Sequence, residues 1–157
     1  MRSASIVLIA SATALSFPAG AAALIQPDRG IAGARLGNTK AEVRAALGKP
    51  GRVKRGMNDF GPFTVFRYRG AISVTFQGNR RVTSVTTKGH GDRTIRGVGV
   101  GSSERSVQRR VPGVTCETFF GTTRSCHTGD FSAGTRVTDF RIRDGRVTRV
   151  TVGFVID

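Results

Sequence analysis

Residues 30–47, GIAGARLGNTKAEVRAAL, return in similar form at residues 94–111, TIRGVGVGSSERSVQRRV, and this pair decides how the chain is organised. At a constant offset of 64 residues, glycines align with glycines and apolar residues with apolar residues: Gly33 with Gly97, Leu36 with Val100, Gly37 with Gly101, Val43 with Val107, and Leu47 with Val111. Similarity at a fixed offset is the signature of a repeated structural unit. We therefore predict two tandem units.

Each copy of this stretch predicts a glycine-containing entry followed by a short helix. Thr39 and Glu42 have the spacing of a capping box, in which the hydroxyl accepts from a free amide and the carboxylate reaches back. In the second copy, Ser102 or Ser103 is the candidate N-cap. The alternative interpretation of GVGVGS, a phosphate cradle, lacks the spacing of the dinucleotide fingerprint and the Gly-Lys-Ser/Thr of a phosphate loop.

Residues 72–87, ISVTFQGNRRVTSVTT, and residues 138–154, TDFRIRDGRVTRVTVGF, each predict two antiparallel strands joined by a turn. Apolar and polar residues alternate along them, which is typical of half-buried strands. Asp144-Gly145 favours a hairpin turn. We expect an α+β fold of two tandem units, residues 24–89 and 90–157, each a short helical N-terminal part packed on a small antiparallel sheet.

This pattern resembles the outer-membrane assembly lipoprotein (SmpA/OmlA) fold and its tandem relative, the β-lactamase inhibitory protein family. The positions that carry the resemblance are Gly33, Leu36, Gly37, Thr39, Val43, Leu47, Gly48 and Pro50, then Gly97, Val100, Gly101, Ser103, Val107 and Val111. The resemblance spans almost the whole chain after residue 23 in outline. It implies a non-enzymatic, exported binding module.

In the inhibitor family, a hairpin loop carrying Gly-Asp-aromatic enters the active site of the target enzyme. Gly129-Asp130-Phe131 matches it here, so the resemblance implies Asp130 and Phe131 as a candidate inhibitory loop. This loop lies in the second unit, whereas the best-known inserting loop of the family lies in the first. Asp beside Gly is also a common turn residue that caps its own backbone. Inhibition of a β-lactamase-type enzyme is therefore an alternative function.

The N-terminus has the pattern of a secretory signal peptide over residues 1–23. Arg2 precedes an apolar run, SIVLIASATALSF, and small residues then offer cleavage after Ala21 or Ala23. The apolar run is shorter than the ~20 residues that a membrane span needs, so we expect no stable membrane span after cleavage. These features predict a secreted or extracytoplasmic bacterial protein, and we expect it to be a monomer.

The formal net charge of +15 predicts contact with anionic surfaces. Three arginines, Arg141, Arg143 and Arg149, fall at outward strand positions and are candidate anion- or partner-binding residues. The expected partner is an unknown protein or an anionic envelope component. Specific nucleic acid binding is not expected, because no aromatic stacking platform accompanies these arginines. The alternative interpretation is a solvated face that happens to be basic.

The two cysteines, Cys116 and Cys126, predict a disulfide in an exported chain. A redox-active pair is the alternative, but there is no C-x-x-C motif.

Motifs for catalysis or for a metal site are missing from the sequence. No G-x-S-x-G, S-x-x-K or H-E-x-x-H occurs. Cys126-His127-x-x-Asp130 falls short of a metal-ligand set if the thiol is oxidised. We therefore expect no cofactor and no metal. The function predicted is a secreted, non-enzymatic binding protein with a basic surface, and the further alternative is a small exported enzyme whose residues meet only on folding.

Overall fold

The computed structural model describes residues 23–156, and most of its regular structure is β-strand. The strands are β1 Leu24–Gln26, β2 Gly30–Ile31, β3 Ala34–Arg35, β4 Arg52–Asn58, β5 Gly61–Arg67, β6 Ile72–Gln77, β7 Ser84–Thr87, β8 Arg93–Thr94, β9 Thr115–Phe119, β10 Thr123–His127, β11 Arg136–Arg143 and β12 Arg146–Phe154. Two short α-helices, α1 Lys40–Leu47 and α2 Glu104–Arg110, and a 3₁₀ turn, Arg69–Ala71, complete the described part. Below, residues 23–89 are called the first half and residues 90–156 the second half.

Eight strands form one antiparallel sheet in the order β4-β5-β6-β7-β12-β11-β10-β9. The halves meet at its centre, where Val85 pairs with Val152 and the hydroxyls of Thr86 and Thr151 lie 3.0 Å apart. The expected α+β fold, with a separate small sheet in each of two tandem units, is therefore wrong. If each half formed its own sheet, β7 and β12 would be edge strands with unpaired backbone N–H and C=O groups. Pairing β7 with β12 satisfies those groups.

A second, smaller sheet also joins the halves, in the order β3-β2-β1-β8. Its β1 pairs antiparallel with β2 and parallel with β8, which comes from the second half. The fold is therefore mostly β, with one large antiparallel sheet and one small mixed sheet. The division into units at residue 89 stays a prediction.

The helix predictions are confirmed at their N-termini. Thr39 caps α1, accepting from the Glu42 amide at 3.3 Å, while the Glu42 carboxylate accepts from the Thr39 amide at 2.6 Å. This backbone hydrogen bond lowers the pKa of Glu42 below its usual value. Ser103 caps α2 by accepting from the Ser106 amide at 3.2 Å. A capping box is therefore confirmed in α1 alone of the two helices that the structure describes.

The glycines before each helix are required by the local backbone conformation and by close contacts between backbone segments. Gly37 and Gly101 both have positive φ, 84° and 90°, and their amides donate to the carbonyls of Val82 and Val147 at 2.9 and 2.7 Å. Gly99 is required by close approach, because a Cβ there would lie 1.9 Å from the Asp92 carbonyl oxygen. Since the amides of Gly97, Gly99 and Gly101 all donate within the chain, GVGVGS does not present them to a phosphate.

The core lies on one face of the large sheet, under the helices and the small sheet. Val43 of α1 and Val107 of α2 are fully buried in it. Phe76 of β6 and Phe140 of β11, which are 64 residues apart, are also fully buried. The opposite face carries the side chains that alternate with these residues, and we call it the open face.

Two aspartates that are also 64 residues apart connect each half to the other. Asp28 accepts from the hydroxyls of Thr128 and Thr138 at 2.6 and 2.7 Å. Asp92 is 7% exposed and accepts from the Thr87 hydroxyl and, at 3.0 Å, from the amide of Ala23. Each of these two aspartates, which lie before the glycine-rich stretch of their own half, thus forms hydrogen bonds with residues of the other half. Apart from Ala23, the predicted signal peptide lies outside the described residues.

Candidate ligand-binding face of the sheet

The candidate site lies on the second half of the open face, where antiparallel pairing brings distant residues side by side. Arg141 of β11 lies between Ser125 of β10 and Arg149 of β12 in the register of the sheet. His127 of β10 lies opposite Asp139 of β11. Partners in an antiparallel register point to the same face. This small area therefore contains two arginines, an aspartate and a histidine.

The three arginines predicted from the sequence line one cleft of about 410 Å³, which we call the basic cleft. It is lined by Lys88, Thr122, Arg141, Ile142, Arg143, Thr148 and Arg149. The structure therefore brings Arg141, Arg143 and Arg149 together and adds Lys88 and Thr122, which the sequence interpretation missed. Lys88 follows β7, so its approach to β12 depends on the pairing of the two halves.

The cations of the basic cleft are poorly neutralised within residues 23–156. Arg143 lies 3.9 Å from Asp144, and both side chains are largely exposed. The ion pairs in this part of the chain include no carboxylate partner for Lys88, Arg141 or Arg149. The Nε of Arg149 is buried and has no hydrogen-bond partner. A buried donor without a partner carries a desolvation penalty.

An apolar hollow of about 400 Å³ adjoins the basic cleft, and we call it the aromatic hollow. It is lined by Phe119, Phe120, Thr123, Ser125, Phe131, Asp139 and Arg141. Phe119 and Phe131 pack edge to face with ring centroids 5.2 Å apart, and Phe131 also packs on His127 at 4.5 Å. Arg141 lines both cavities, so they border each other.

Polar side chains beside the hollow are paired within the protein. The Ser125 hydroxyl donates to the Asp139 carboxylate. His127 is 5% exposed, with Nε2 2.7 Å from the Glu117 carboxylate and Nδ1 3.2 Å from the Gly129 carbonyl. The two ring nitrogens thus contact Glu117 and Gly129, whereas the Ser125 hydroxyl bonds to Asp139.

The loop that the resemblance implied follows β10. The Asp130 carboxylate accepts from the Ser132 amide at 3.1 Å, and this backbone hydrogen bond lowers the pKa of Asp130. The Asp130 carbonyl accepts from the Thr135 hydroxyl at 2.8 Å. These contacts are those of the self-capping turn residue that the sequence also allowed. Phe131 instead lines the aromatic hollow, and the inhibitory role of both residues stays a prediction.

The predicted disulfide is present. Cys116 of β9 and Cys126 of β10 are direct partners in the sheet and form the bond. Glu104 lies beside the two sulfurs, and this is the one three-residue cluster with metal-ligand atoms close together in residues 23–156. The thiols are consumed by the disulfide and Glu104 pairs with Arg124, so the cluster is not a free ligand set.

Comparison with known proteins gives three structural likenesses. No protein-family model matches the sequence, and no curated protein matches it. One similar structure is a DUF4309 family protein (YjgB) from Bacillus subtilis subsp. subtilis str. 168, with a TM-score of 0.47 and 20% identity; the match covers 74% of this chain and 78% of that one. A second is an extracellular protein containing a SCP domain from Bacillus anthracis str. Ames, with a TM-score of 0.49 and 13% identity. A third is a cysteine-rich secretory protein (SAV1118) from Staphylococcus aureus subsp. aureus Mu50, with a TM-score of 0.48 and 10% identity.

For the last two, the match covers 76% of this chain and 44% of the other. At these TM-scores the likenesses carry no inference about function. The disulfide itself fits an extracytoplasmic location, because such bonds persist in oxidising compartments. Within residues 23–156, neither helix is long and apolar enough to cross a membrane.

Proposed function

We propose that this chain is an extracytoplasmic, non-enzymatic binding protein whose basic cleft receives an anionic group of its ligand. The observation that carries the proposal is the convergence of Arg141, Arg143, Arg149 and Lys88 on one cleft. The unpartnered Nε of Arg149 adds a donor that an anion would satisfy. Arginine suits this role because its planar guanidinium remains charged and can donate two parallel hydrogen bonds to an oxyanion.

The overall charge by itself would favour loose association with any polyanion. The proposal is narrower, because it assigns binding to one cleft and to the guanidinium groups within it. The experiment must therefore compare arginines of the cleft with arginines elsewhere. Arg80, in the turn after β6, and Arg105, in α2, are both exposed, and replacing both removes the same charge outside the cleft.

The test is a calorimetric titration with inorganic phosphate at low ionic strength, using the oxidised protein. Replacing both Arg141 and Arg149 by glutamine should weaken phosphate binding by about ten-fold or more, because each hydrogen bond to a charged group contributes roughly 1.5–3 kcal/mol. The double variant Arg80→Gln/Arg105→Gln should leave the affinity nearly unchanged. An equal loss in both variants would show diffuse attraction to the net charge, and the proposal would fail.

The β-lactamase-type inhibitor remains the alternative prediction. If the protein is such an inhibitor, Asp130→Ala should weaken inhibition. An absence of inhibition across representative β-lactamases would exclude this alternative function.

A further inference from the structure

Phe120 occupies an unusual position at the tip of the β9–β10 hairpin. Its φ is +50°, and its side chain is 97% exposed. The left-handed region is disfavoured for bulky L-residues. Two other turns of the large sheet place Asn79 and Asp144 at similar φ values, 60° and 51°. Asn and Asp tolerate this conformation, since their short side chains bond to the local backbone.

Phe120 therefore combines backbone strain with an apolar ring that is left in water. Either feature lowers the stability of the folded chain, and burial of the ring does not offset them. Such strain concentrates at sites that contact ligands. The position of the ring gives the chemical class of that ligand.

Phe120 lines the aromatic hollow, where Phe119 and Phe131 supply the remaining aromatic surface. Thr122, two residues further along the same turn, lines the basic cleft. The turn thus spans from the hollow to the cleft, with Arg141 lining both. A small molecule lying across Arg141 would contact cations at one end and phenylalanine rings at the other.

Resting on the proposed function, we infer that the ligand is a small amphipathic anion, with its charged group in the basic cleft and its apolar part in the aromatic hollow against Phe120. Asp139 lines the hollow and is absent from the lining of the cleft, so like charge repels the anion from the hollow. The charged group therefore lies on the Arg149 side of Arg141. The apolar part covers rings that are otherwise exposed.

A monomeric ligand fits this surface better than a bilayer does. The apolar residues line a cavity of about 400 Å³, a size typical of small-molecule sites. The arginines line a concave cleft of about 410 Å³ rather than a flat surface, so a discrete anionic group suits them better than a plane of headgroups. The bilayer is the competing occupant in the experiment.

The experiment compares three probes by titration calorimetry: decyl phosphate below its critical micelle concentration, inorganic phosphate, and the uncharged decyl maltoside. Decyl phosphate should bind at least about ten-fold more tightly than inorganic phosphate, because two buried methylene groups already contribute roughly that factor. Decyl maltoside should bind more weakly than decyl phosphate by a similar factor, since it lacks the anion.

Phe120→Asn separates the ligand role from a structural one. Asn relieves the strain at φ +50° and removes the exposed ring, so this variant should melt no lower than the parent protein. Its affinity for decyl phosphate should fall by about ten-fold, while its affinity for inorganic phosphate stays within about two-fold. Phe60→Asn, at a 51% exposed phenylalanine in the β4–β5 turn, is the control and should change neither affinity.

The outcomes separate the two proposals. Equal affinities for decyl phosphate and inorganic phosphate would overturn the amphipathic ligand and leave the basic cleft standing, whereas no binding of either would overturn both. Binding to vesicles of anionic phosphatidylglycerol with no binding of monomeric decyl phosphate would assign the surface to a bilayer and also overturn the inference. If Phe120→Asn melts well below the parent, the ring is structural; Phe131→Ala must then reduce decyl phosphate binding, or the inference fails.

Discussion

The two halves of the open face use the same kind of sheet differently. In the first half, the Gln77 amide donates to Asn58 and to the carbonyl of Phe60, and Lys54 lies over the Phe63 ring at 5.8 Å. These side chains find partners within the three adjacent strands β4, β5 and β6. In the second half, Arg149 retains a buried donor without a partner and Phe120 stays exposed. On the open face, the second half thus combines an unpartnered cation with an exposed aromatic ring beside the same two cavities.

Beneath this difference, the two halves share their supporting contacts. Phe76 and Phe140 fill corresponding places in the core, and Asp28 and Asp92 each bond to the opposite half. The candidate site is present in the second half alone of the described open face, whereas the core phenylalanines and the connecting aspartates occur at matching positions in both halves. Substitutions at matched positions can therefore test whether the halves depend on each other.

The largest expected effect comes from the matched core phenylalanines. Phe76→Ala and Phe140→Ala should each lower the free energy of unfolding by about 3–5 kcal/mol, since both rings are fully buried. Because the halves share one sheet, urea unfolding followed by circular dichroism should remain a single transition in both variants. Phe60→Ala, at an exposed ring, should stay within about 0.5 kcal/mol. Two separate transitions, with each variant moving only one, would establish independently folding units.

A smaller loss is expected from the aspartates that join the halves. Asp28→Ala and Asp92→Ala should each destabilise the protein by about 2 kcal/mol, because hydroxyl and amide donors in the fold lose a charged acceptor. Chemical denaturation of both variants checks this, with the exposed Asp59→Ala as control. If only one aspartate matters, the symmetric connection between the halves is wrong.

The smallest effect concerns the helix caps. Glu42 has a folded pKa below 4.5, the value for an unperturbed group, because the Thr39 amide donates to its carboxylate. Its contribution is therefore fully present above that unperturbed pKa and is lost as the pH falls through the folded pKa. Glu42→Ala should lower the melting temperature slightly at pH 7 and not at all once the carboxylate is protonated. If Glu42→Ala lowers the melting temperature by the same amount at pH 7 and at a pH where the carboxylate is protonated, the hydrogen bond from the Thr39 amide is not the cause.

Sequence patterns predicted the parts of the fold that have a buried and an exposed side. β6 alternates buried and half-buried residues along its whole length, and α1 has its capping box. In contrast, every residue of β4 is exposed, so the strand carries no alternating apolar signal. The pairing of β7 with β12 was missed for another reason: local patterns identify strands, but they do not specify which edges meet.

The candidate site was only partly visible in the sequence. Arg141, Arg143 and Arg149 stood out because they alternate with apolar residues on adjoining strands. Lys88 and Phe119 could not be assigned, since their approach to Arg141 depends on strand order. One signal was available for Phe120, because an aromatic residue precedes Gly121 where turn chemistry favours Asn or Asp.

Local chemistry in the chain was sufficient for the helix ends, the turns, the disulfide and the strongly basic character, because each depends on neighbouring residues or on composition. The single large sheet, the cross-connections of Asp28 and Asp92, and the meeting of the basic cleft with the aromatic hollow arise from contacts between residues far apart in sequence. Those contacts form because edge strands need partners and buried polar groups need hydrogen bonds. The identity of the distant segments that pair in this way is decided only by the tertiary structure.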